Sequence, residues 1–140
     1  MKALILVLFV SLTLTNSGFG RIGEDPKQIE ARYGQPGRDL GEHGDLHEVG
    51  YMSGGFLIMV SYVKGISQRE GFTSPDTSPL TPDAIQKILS ISAADGTQWV
   101  EKPGANGDKA WARSDGKAIA IFPAMGKFLF VQDINFVQPK

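Results

Sequence analysis

The stretch YMSGGFLIMVSYVKGISQREGFT, from Tyr51 to Thr73, decides how the fold is interpreted. Gly54-Gly55 and Lys64-Gly65 each separate two runs that are rich in strand-forming residues. Two-residue hairpin turns need a positive φ at one or both central positions, which glycine adopts without steric cost. The spacing therefore predicts three antiparallel strands joined by two tight turns.

The middle run of this stretch, Phe56 to Val63, is apolar except for Ser61. Apolar side chains then point to both faces, which is typical of a central strand covered on both sides. The third run, Ile66 to Phe72, is mostly polar and is expected to form an exposed or edge strand. The alternative for the middle run is a buried helix, but its length between glycines favours a strand.

The N-terminal segment has the pattern of a secretory signal peptide. Lys2 precedes an apolar run from Ala3 to Thr15, which is shorter than the ~20 residues that a transmembrane helix needs. Small residues at Gly18 and Gly20 predict cleavage after Gly20, with Ser17 as the alternative site. The competing interpretation is an uncleaved membrane anchor.

Composition sets limits on the remaining chain, residues 21–140, which is the size of one domain. The protein has a net charge of −1 and no basic run, so nucleic acid is not an expected partner. It has no cysteine, which excludes disulfides, thiol catalysis, cysteine-bound metal and a lipidation cysteine. We expect a periplasmic or secreted protein with no cofactor and no transmembrane span in the mature chain.

Two short helices are predicted, each beginning at a capping residue followed by proline: Asp25-Pro26 and Thr81-Pro82. Gly34 ends the first helix and Asp95-Gly96 ends the second segment. The expected inner faces are Ile29 and Tyr33 on the first helix, and Ile85, Ile88, Leu89 and Ser92 on the second.

The rest of the chain is interpreted as turns and further strands. Residues 37–48 are rich in glycine and charge and predict a loop that leads into a strand near Leu46. Asp115-Gly116 predicts a hairpin turn. The second half is expected to hold strands at 99–101, 109–113, 117–122 and 127–132.

The two halves align as a diverged tandem repeat, about 21–75 and 76–140. The hairpin glycines Gly55 and Gly65 match Gly116 and Gly126 at a constant offset, which places Ile58 and Val60 against Ile119 and Ile121. The repeating unit is a helix followed by three strands. The prediction is a single α+β domain with an antiparallel sheet and both helices on one face.

Three short motifs carry a resemblance to known proteins: Asp25-Pro26, Tyr33-Gly34-Gln35-Pro36 and Thr81-Pro82. A capped helix, a Tyr-Gly-x-Pro stop and an antiparallel meander, in tandem, resemble the β-lactamase-inhibitor-protein-like architecture, which small outer-membrane assembly lipoproteins share. The second half, with Leu80, Trp99 and the run from Trp111 to Ala118, is similar to small uncharacterised secreted bacterial proteins. The resemblance implies an envelope or secreted binding module, but neither inhibition nor assembly is carried over to particular residues.

Two groups of residues are candidates for a metal site or a catalytic site. In the run 42–48, His43 and His47 lie among three acidic residues, and imidazole with carboxylate suits zinc, copper or nickel. They would share a face on a helix, but Gly44 favours a loop, and a solvated polar loop is the simpler interpretation. Ser53 lies near His47 but lacks a nucleophile-elbow motif, so a turn residue is favoured over a catalytic serine.

Tyr51 and Tyr62 are the candidate partner-binding residues, because tyrosine joins apolar area to one polar group and is enriched at interfaces. Trp99 and Trp111 are assigned to the core, whereas Tyr51 and Tyr62 are the aromatic residues expected to be exposed. The expected function is non-enzymatic binding of another envelope or extracellular protein through one face of the sheet. The alternatives are a metal-binding protein or metal-dependent hydrolase that uses His43 and His47, and a structural envelope component without a discrete site.

Overall fold

The computed structural model describes residues 22–140, so the predicted signal peptide lies outside the described residues. Among those residues, no helix is long and apolar enough to cross a membrane. The elements are α1 (Pro26–Tyr33), β1 (Arg38–His43), β2 (Leu46–Ser53), β3 (Phe56–Val63), β4 (Ile66–Thr73), α2 (Pro82–Ser92), β5 (Trp99–Pro103), β6 (Lys109–Arg113), β7 (Ala118–Phe122) and β8 (Leu129–Asp133).

The eight strands form one antiparallel sheet in the order β1-β2-β3-β4-β8-β7-β6-β5. This confirms the α+β class. Strands β1 and β5 are the edges, and the pair β4 and β8 lies in the middle. Each helix is followed by four strands instead of the three predicted, and the tandem repeat itself stays a prediction.

The meander from Tyr51 to Thr73 is confirmed as parts of β2, β3 and β4. Both turns have a positive φ at their two central residues, 61° and 84° at Gly54-Gly55 and 51° and 79° at Lys64-Gly65. The alternative of a helix over residues 56–63 is wrong, because that segment pairs on both sides as β3.

Two predictions in the first half are wrong. Strand β4 is interior, since it pairs with both β3 and β8, and its polar side chains Ser67, Arg69 and Glu70 are buried. Residues 37–48 are not one loop, because β1 occupies half of that stretch and pairs with β2. Five of the six residues of β1 are exposed, so the segment has none of the apolar alternation that marks most strands.

Both helices pack against the same face of the sheet and contribute to one core. Their predicted N-caps and inner faces are confirmed, and Asp25 and Gln28 form a capping box. The core contains these side chains: Ile29, Tyr33, Val49, Tyr51, Phe56, Ile58, Val60, Tyr62, Phe72, Leu80, Ile85, Ile88, Leu89, Trp111, Ala120, Leu129 and Val131.

The opposite side of the sheet is here called the helix-free face. It carries Leu57, Met59 and Ile121, which are half-buried, because successive strand residues alternate between faces. Ile119 also lies on the helix-free face, whereas Ile58 lies on the helix side, so the predicted match between those two isoleucines is wrong. The turn before β7 has four residues and the turn before β3 has two, which shifts the register.

Candidate binding cleft

A cleft of about 300 Å³ lies between α1 and strands β1 to β3, on the helix side of the sheet. We call it the binding cleft. Its volume is at the lower end of the range for ligand pockets. The residues that line it are Pro26, Glu30, Pro36, Gly37, Arg38, Asp39, His47, Val49, Tyr51 and Tyr62.

The floor of the binding cleft is formed by two buried tyrosines, Tyr51 and Tyr62. The Tyr51 and Tyr62 oxygens lie 2.9 Å apart and share a hydrogen bond. Each residue is 2% exposed, so the expectation that these two side chains are exposed is wrong. They are buried because both point to the face that α1 covers. The structure nevertheless brings the two predicted binding residues together at one site.

The Tyr62 hydroxyl is held in its neutral form. Burial raises the pKa of Tyr62 far above its ordinary value, and the hydrogen bond with Tyr51 and the negative charge of Glu70 act in the same direction. A neutral hydroxyl pair has two protons, and only one is used between the two oxygens. The pair therefore has one further donor, which suits recognition of an oxygen acceptor.

One wall of the binding cleft carries an imidazole and carboxylate pair. His47 Nε2 lies 2.9 Å from Asp39 Oδ1, and the His47 ring lies 6.4 Å from the Tyr62 ring. The pKa of Asp39 is lowered, first by the backbone N–H of Gly41 and then by the hydrogen bond with His47. The carboxylate thus fixes the imidazole beside the opening of the cleft.

The metal alternative gains no support from the placement of the histidines. In the β1–β2 ladder His43 lies opposite Leu46, and Glu42 lies opposite His47, so the two imidazoles point to opposite faces. Across residues 22–140, no group of three or more potential metal ligands comes together. Strand alternation separates the two histidines that a helix would have brought together.

A second layer of polar contacts holds Tyr51 in place. The Tyr33 ring packs against the Tyr51 ring at 5.8 Å, with a tilt of 48°. The Tyr33 hydroxyl donates to Glu70 Oε2 at 2.8 Å, and Glu70 is fully buried. A buried carboxylate needs such donors, since its transfer from water is costly. The floor of the cleft is therefore anchored through α1 to the centre of the sheet.

An ion pair links the segment before α1 to the last turn of that helix. Arg32 Nε donates to both carboxylate oxygens of Glu24 at 2.9 Å, and Glu24 is 7% exposed. The hydroxyl of Ser67 on β4 accepts from the backbone N–H of Gly23 and Glu24 at 3.1 Å. These contacts tie the segment before α1 to the sheet and so set the position of Pro26.

Sequence reasoning missed three charged lining residues: Arg38 and Asp39, because β1 was interpreted as a loop, and Glu30 of α1. A hairpin turn at Gly44-Asp45 is the signal that could have identified Arg38 and Asp39. It would pair the charged run before the turn with the stretch Leu46–Ser53 after it. A hairpin there places Asp39 near His47. The sequence gives no comparable signal for Glu30, since its role depends on how α1 lies over the sheet.

Comparisons with known proteins add little to this geometry. No family model matches the chain, and no curated protein matches it. One matching solved structure is a cysteine-rich secretory protein from Staphylococcus aureus subsp. aureus Mu50, with 12% sequence identity and a TM-score of 0.47. The match covers 81% of this chain but only 45% of that protein, and it carries no argument about function.

Proposed function

We propose that this protein is an exported, non-enzymatic binding module, and that an extended segment of a protein partner docks in the binding cleft beside edge strand β1. One observation carries the proposal: a cleft of about 300 Å³, floored by Tyr51 and Tyr62, opens beside an edge strand. An edge strand presents backbone donors and acceptors that another strand can pair with.

An extended peptide fits this arrangement because both of its recognition elements lie together. Within residues 22–140, β1 pairs with β2 alone, so the outer backbone groups of β1 face away from the sheet. In strand addition, main-chain hydrogen bonds supply affinity and an adjoining pocket for a side chain supplies specificity. Arg38 and Asp39 belong both to β1 and to the lining of the binding cleft.

The chemistry of the lining favours binding over catalysis. The described lining residues include no serine, cysteine or lysine that could act as a nucleophile. The raised pKa of Tyr62 keeps its hydroxyl a hydrogen-bond donor and makes a phenolate base inaccessible near neutral pH. The pair of His47 and Asp39 then serves to orient a ligand rather than to move protons.

The charges around the binding cleft indicate the kind of side chain that enters it. Arg38 contributes one positive charge, while Glu30 and Asp39 each contribute a negative charge. Pro26, Pro36 and Val49 supply apolar surface. The lining suits an apolar or aromatic side chain flanked by peptide amides, with the floor hydroxyl donating to a carbonyl oxygen.

The test is a selection of peptides from a random displayed library against the purified protein, followed by affinity measurements on the recovered peptide. Tyr62→Phe removes a floor hydroxyl and keeps the ring, so it should weaken binding by about 1 kcal/mol, or roughly fivefold. Thr73→Val is the matched control, since it also removes a buried hydroxyl but lies outside the lining of the cleft. Equal affinity of both variants would contradict the proposal.

A second form of the peptide separates strand addition from simple side-chain binding. Methylation of alternate backbone nitrogens removes donors without changing the side chains. If the peptide pairs with β1, one of the two alternating methylation patterns should abolish binding and the other should not. If both methylated peptides bind equally well, strand addition is rejected, and the cleft binds a side chain only.

Export is part of the proposal and rests on the pattern of residues 2–15. Fractionation of the source cells, with N-terminal sequencing of the protein, tests it directly. The expected result is a chain that begins at Arg21 in the periplasm or the medium. A protein that retains Met1 in the cytoplasm would reject export without affecting the cleft.

We also infer that the domain arose by tandem duplication of a helix and four strands. The succession is the same in both halves, and the last strands of the halves, β4 and β8, meet at the centre of the sheet. Alignments of related sequences test this inference. Residues 22–75 and 76–140 should match each other better than shuffled sequences do, and a match no better than that would reject it.

A further inference from the structure

A buried guanidinium lies on the helix-free face, far from the chemistry of the binding cleft. Arg69 of β4 is 7% exposed. It stands in a polar row that crosses four strands, opposite Ser61 of β3 on one side and Gln132 of β8 on the other, with Glu48 of β2 beyond Ser61. A charged group in this position needs partners, because burial disfavours the charged form.

Residues 134–140, here called the C-terminal strap, cover part of the Arg69 side chain. The Cζ atom of Arg69 lies 4.9 Å from the centre of the Phe130 ring and 5.0 Å from the centre of the Phe136 ring. Phe130 belongs to β8, whereas Phe136 belongs to the strap. A cation between two aromatic faces is stabilised by both rings.

The polar contacts of Arg69 are incomplete. Its Nη1 donates to Gln138 Oε1 of the C-terminal strap at 3.0 Å, and its Nη2 lies 3.6 Å from Glu48 Oε1. The second distance is too long for a hydrogen bond. Nε has no hydrogen-bond partner among the described residues. Burial lowers the pKa of Arg69, and the Glu48 carboxylate opposes that shift in part.

The C-terminal strap is held at few points. The Ile134 N–H donates to the Lys117 carbonyl oxygen at 3.0 Å, and the contacts of Phe136 and Gln138 with Arg69 follow. Ile134 and Val137 are 50% and 81% exposed and so bury little apolar surface. Beyond Asp133, the strap therefore contacts Arg69 through Phe136 and Gln138 and buries little apolar surface of its own.

We propose that Arg69 is a carboxylate-binding site on the helix-free face that the C-terminal strap covers, and that its ligand is a partner segment with an aromatic residue followed two positions later by aspartate or glutamate. The strap itself is the template, since Phe136 stacks on the guanidinium and Gln138 accepts from it. A carboxylate in place of the amide keeps this hydrogen bond and adds the attraction of a negative charge for the guanidinium. This site is independent of the binding cleft.

The first test places the carboxylate on the strap itself, in the full-length chain. Gln138→Glu should tighten the cover on Arg69, and Gln138→Ala should loosen it. Val137→Glu is the matched control, because it adds the same charge one residue away on a side chain that is 81% exposed. The readout is the rate at which phenylglyoxal modifies Arg69, measured by peptide mass spectrometry, with exposed Arg38 as the internal reference.

The expected order of Arg69 modification rates is Gln138→Ala above wild type, and Gln138→Glu below it. Loss of one hydrogen bond to a charged group corresponds to about a tenfold increase for the alanine variant. Val137→Glu should match wild type. Equal rates in Gln138→Ala and Gln138→Glu would overturn the proposal, and so would a decrease in Val137→Glu as large as in Gln138→Glu.

The second test supplies the ligand as a separate molecule. The probe is the blocked heptapeptide Ile-Asn-Phe-Val-Glu-Pro-Lys, compared with the same peptide carrying glutamine and with succinate. It is added to the full-length Phe136→Ala variant, or to wild type if near-UV circular dichroism shows that the variant is not folded. The glutamate peptide should protect Arg69 at several-fold lower concentration than the glutamine peptide.

The outcomes of the second test distinguish a peptide ligand from a free dicarboxylate and from non-specific binding. Protection by succinate at the same concentration as the glutamate peptide would reject a peptide ligand, since the aromatic residue then contributes nothing. Equal protection by the two peptides would reject a preference for carboxylate. Protection that extends equally to Arg38 would mean non-specific binding and would overturn the site.

Discussion

Substitution of Tyr33 by phenylalanine removes one hydroxyl from the layer beneath the binding cleft. That hydroxyl donates to Glu70 Oε2 at 2.8 Å, and Glu70 is 0% exposed. The phenylalanine ring keeps the packing against Tyr51 at 5.8 Å. The change therefore isolates a single buried hydrogen bond to a carboxyl group.

The expected loss in the free energy of unfolding is about 1.5–3 kcal/mol, the range for a hydrogen bond to a charged group. Water does not reach Glu70 to replace the lost donor, so the upper half of the range is expected. At roughly 4 °C per kcal/mol for a domain of this size, Tm should fall by about 6–12 °C. Urea and thermal unfolding followed by circular dichroism measure both quantities.

The control is a double-mutant cycle with Glu70→Gln. If the hydroxyl acts through the carboxylate, Tyr33→Phe should cost less in the Glu70→Gln background than in wild type. An unchanged urea m-value would show that the folded and unfolded states stay comparable. A loss below about 0.5 kcal/mol, the usual size of a surface substitution, would refute the assignment of Tyr33 and Glu70 as a buried support.

Three further results are expected. Ile58→Ala should lower the free energy of unfolding by about 2–5 kcal/mol, because Ile58 is 1% exposed in the core. Gly65→Ala should cost about 1–2 kcal/mol, since Gly65 has a φ of 79° that L side chains rarely adopt. NMR titration should place the pKa of Asp39 below 3.8, and part of that lowering should persist in His47→Gln because the Gly41 N–H is the largest single cause.

Each of these expectations has a control or a contradicting result. Leu57→Ala, on the helix-free face, should cost less than Ile58→Ala, and the reverse order would contradict the assignment of faces. Lys64→Asn should keep full stability, because asparagine tolerates a positive φ. The lowered pKa of Asp39 means that its stabilising contribution is present above pH 3.8 and is lost as the pH falls through the folded-state pKa. A folded-state pKa at or above the ordinary value would contradict the Gly41 contact.

The segments that were predicted well are those whose local chemistry agrees with their surroundings. Gly54-Gly55 and Lys64-Gly65 permit only tight turns between strands, and the run from Phe56 to Val63 is apolar enough to demand burial. The caps of the two helices, at Asp25 and Thr81, satisfy backbone donors within a few residues. None of these features depends on distant parts of the chain.

Strand β4 shows why its position could not be predicted from the sequence. Its polar residues suggested an edge, yet Glu70 is buried beneath Tyr33, and Arg69 is buried between Phe130 and Phe136. These partners are 37, 61 and 67 positions away in the chain. A buried polar residue is recognised only when its partner is known, and the sequence alone does not pair them.

The binding cleft was predicted in part. Tyr51 and Tyr62 were selected as amphipathic residues, and the structure joins their hydroxyls at 2.9 Å, but on the buried side of the sheet. Asp39 and Arg38 were not identified, because they lie in a charged stretch that forms an edge strand. Most side chains of that strand are exposed. An edge strand lacks the alternation of apolar residues that identifies interior strands.

The most direct test of the account is an NMR titration of the isotopically labelled protein with the selected peptide. The account predicts shifts in the backbone amides of residues 37–43 and in the Tyr51 and Tyr62 signals, with smaller changes at the opposite edge, β5. Shifts confined to β5 or to the helix-free face would contradict it, and so would a library selection that recovers no binding peptide.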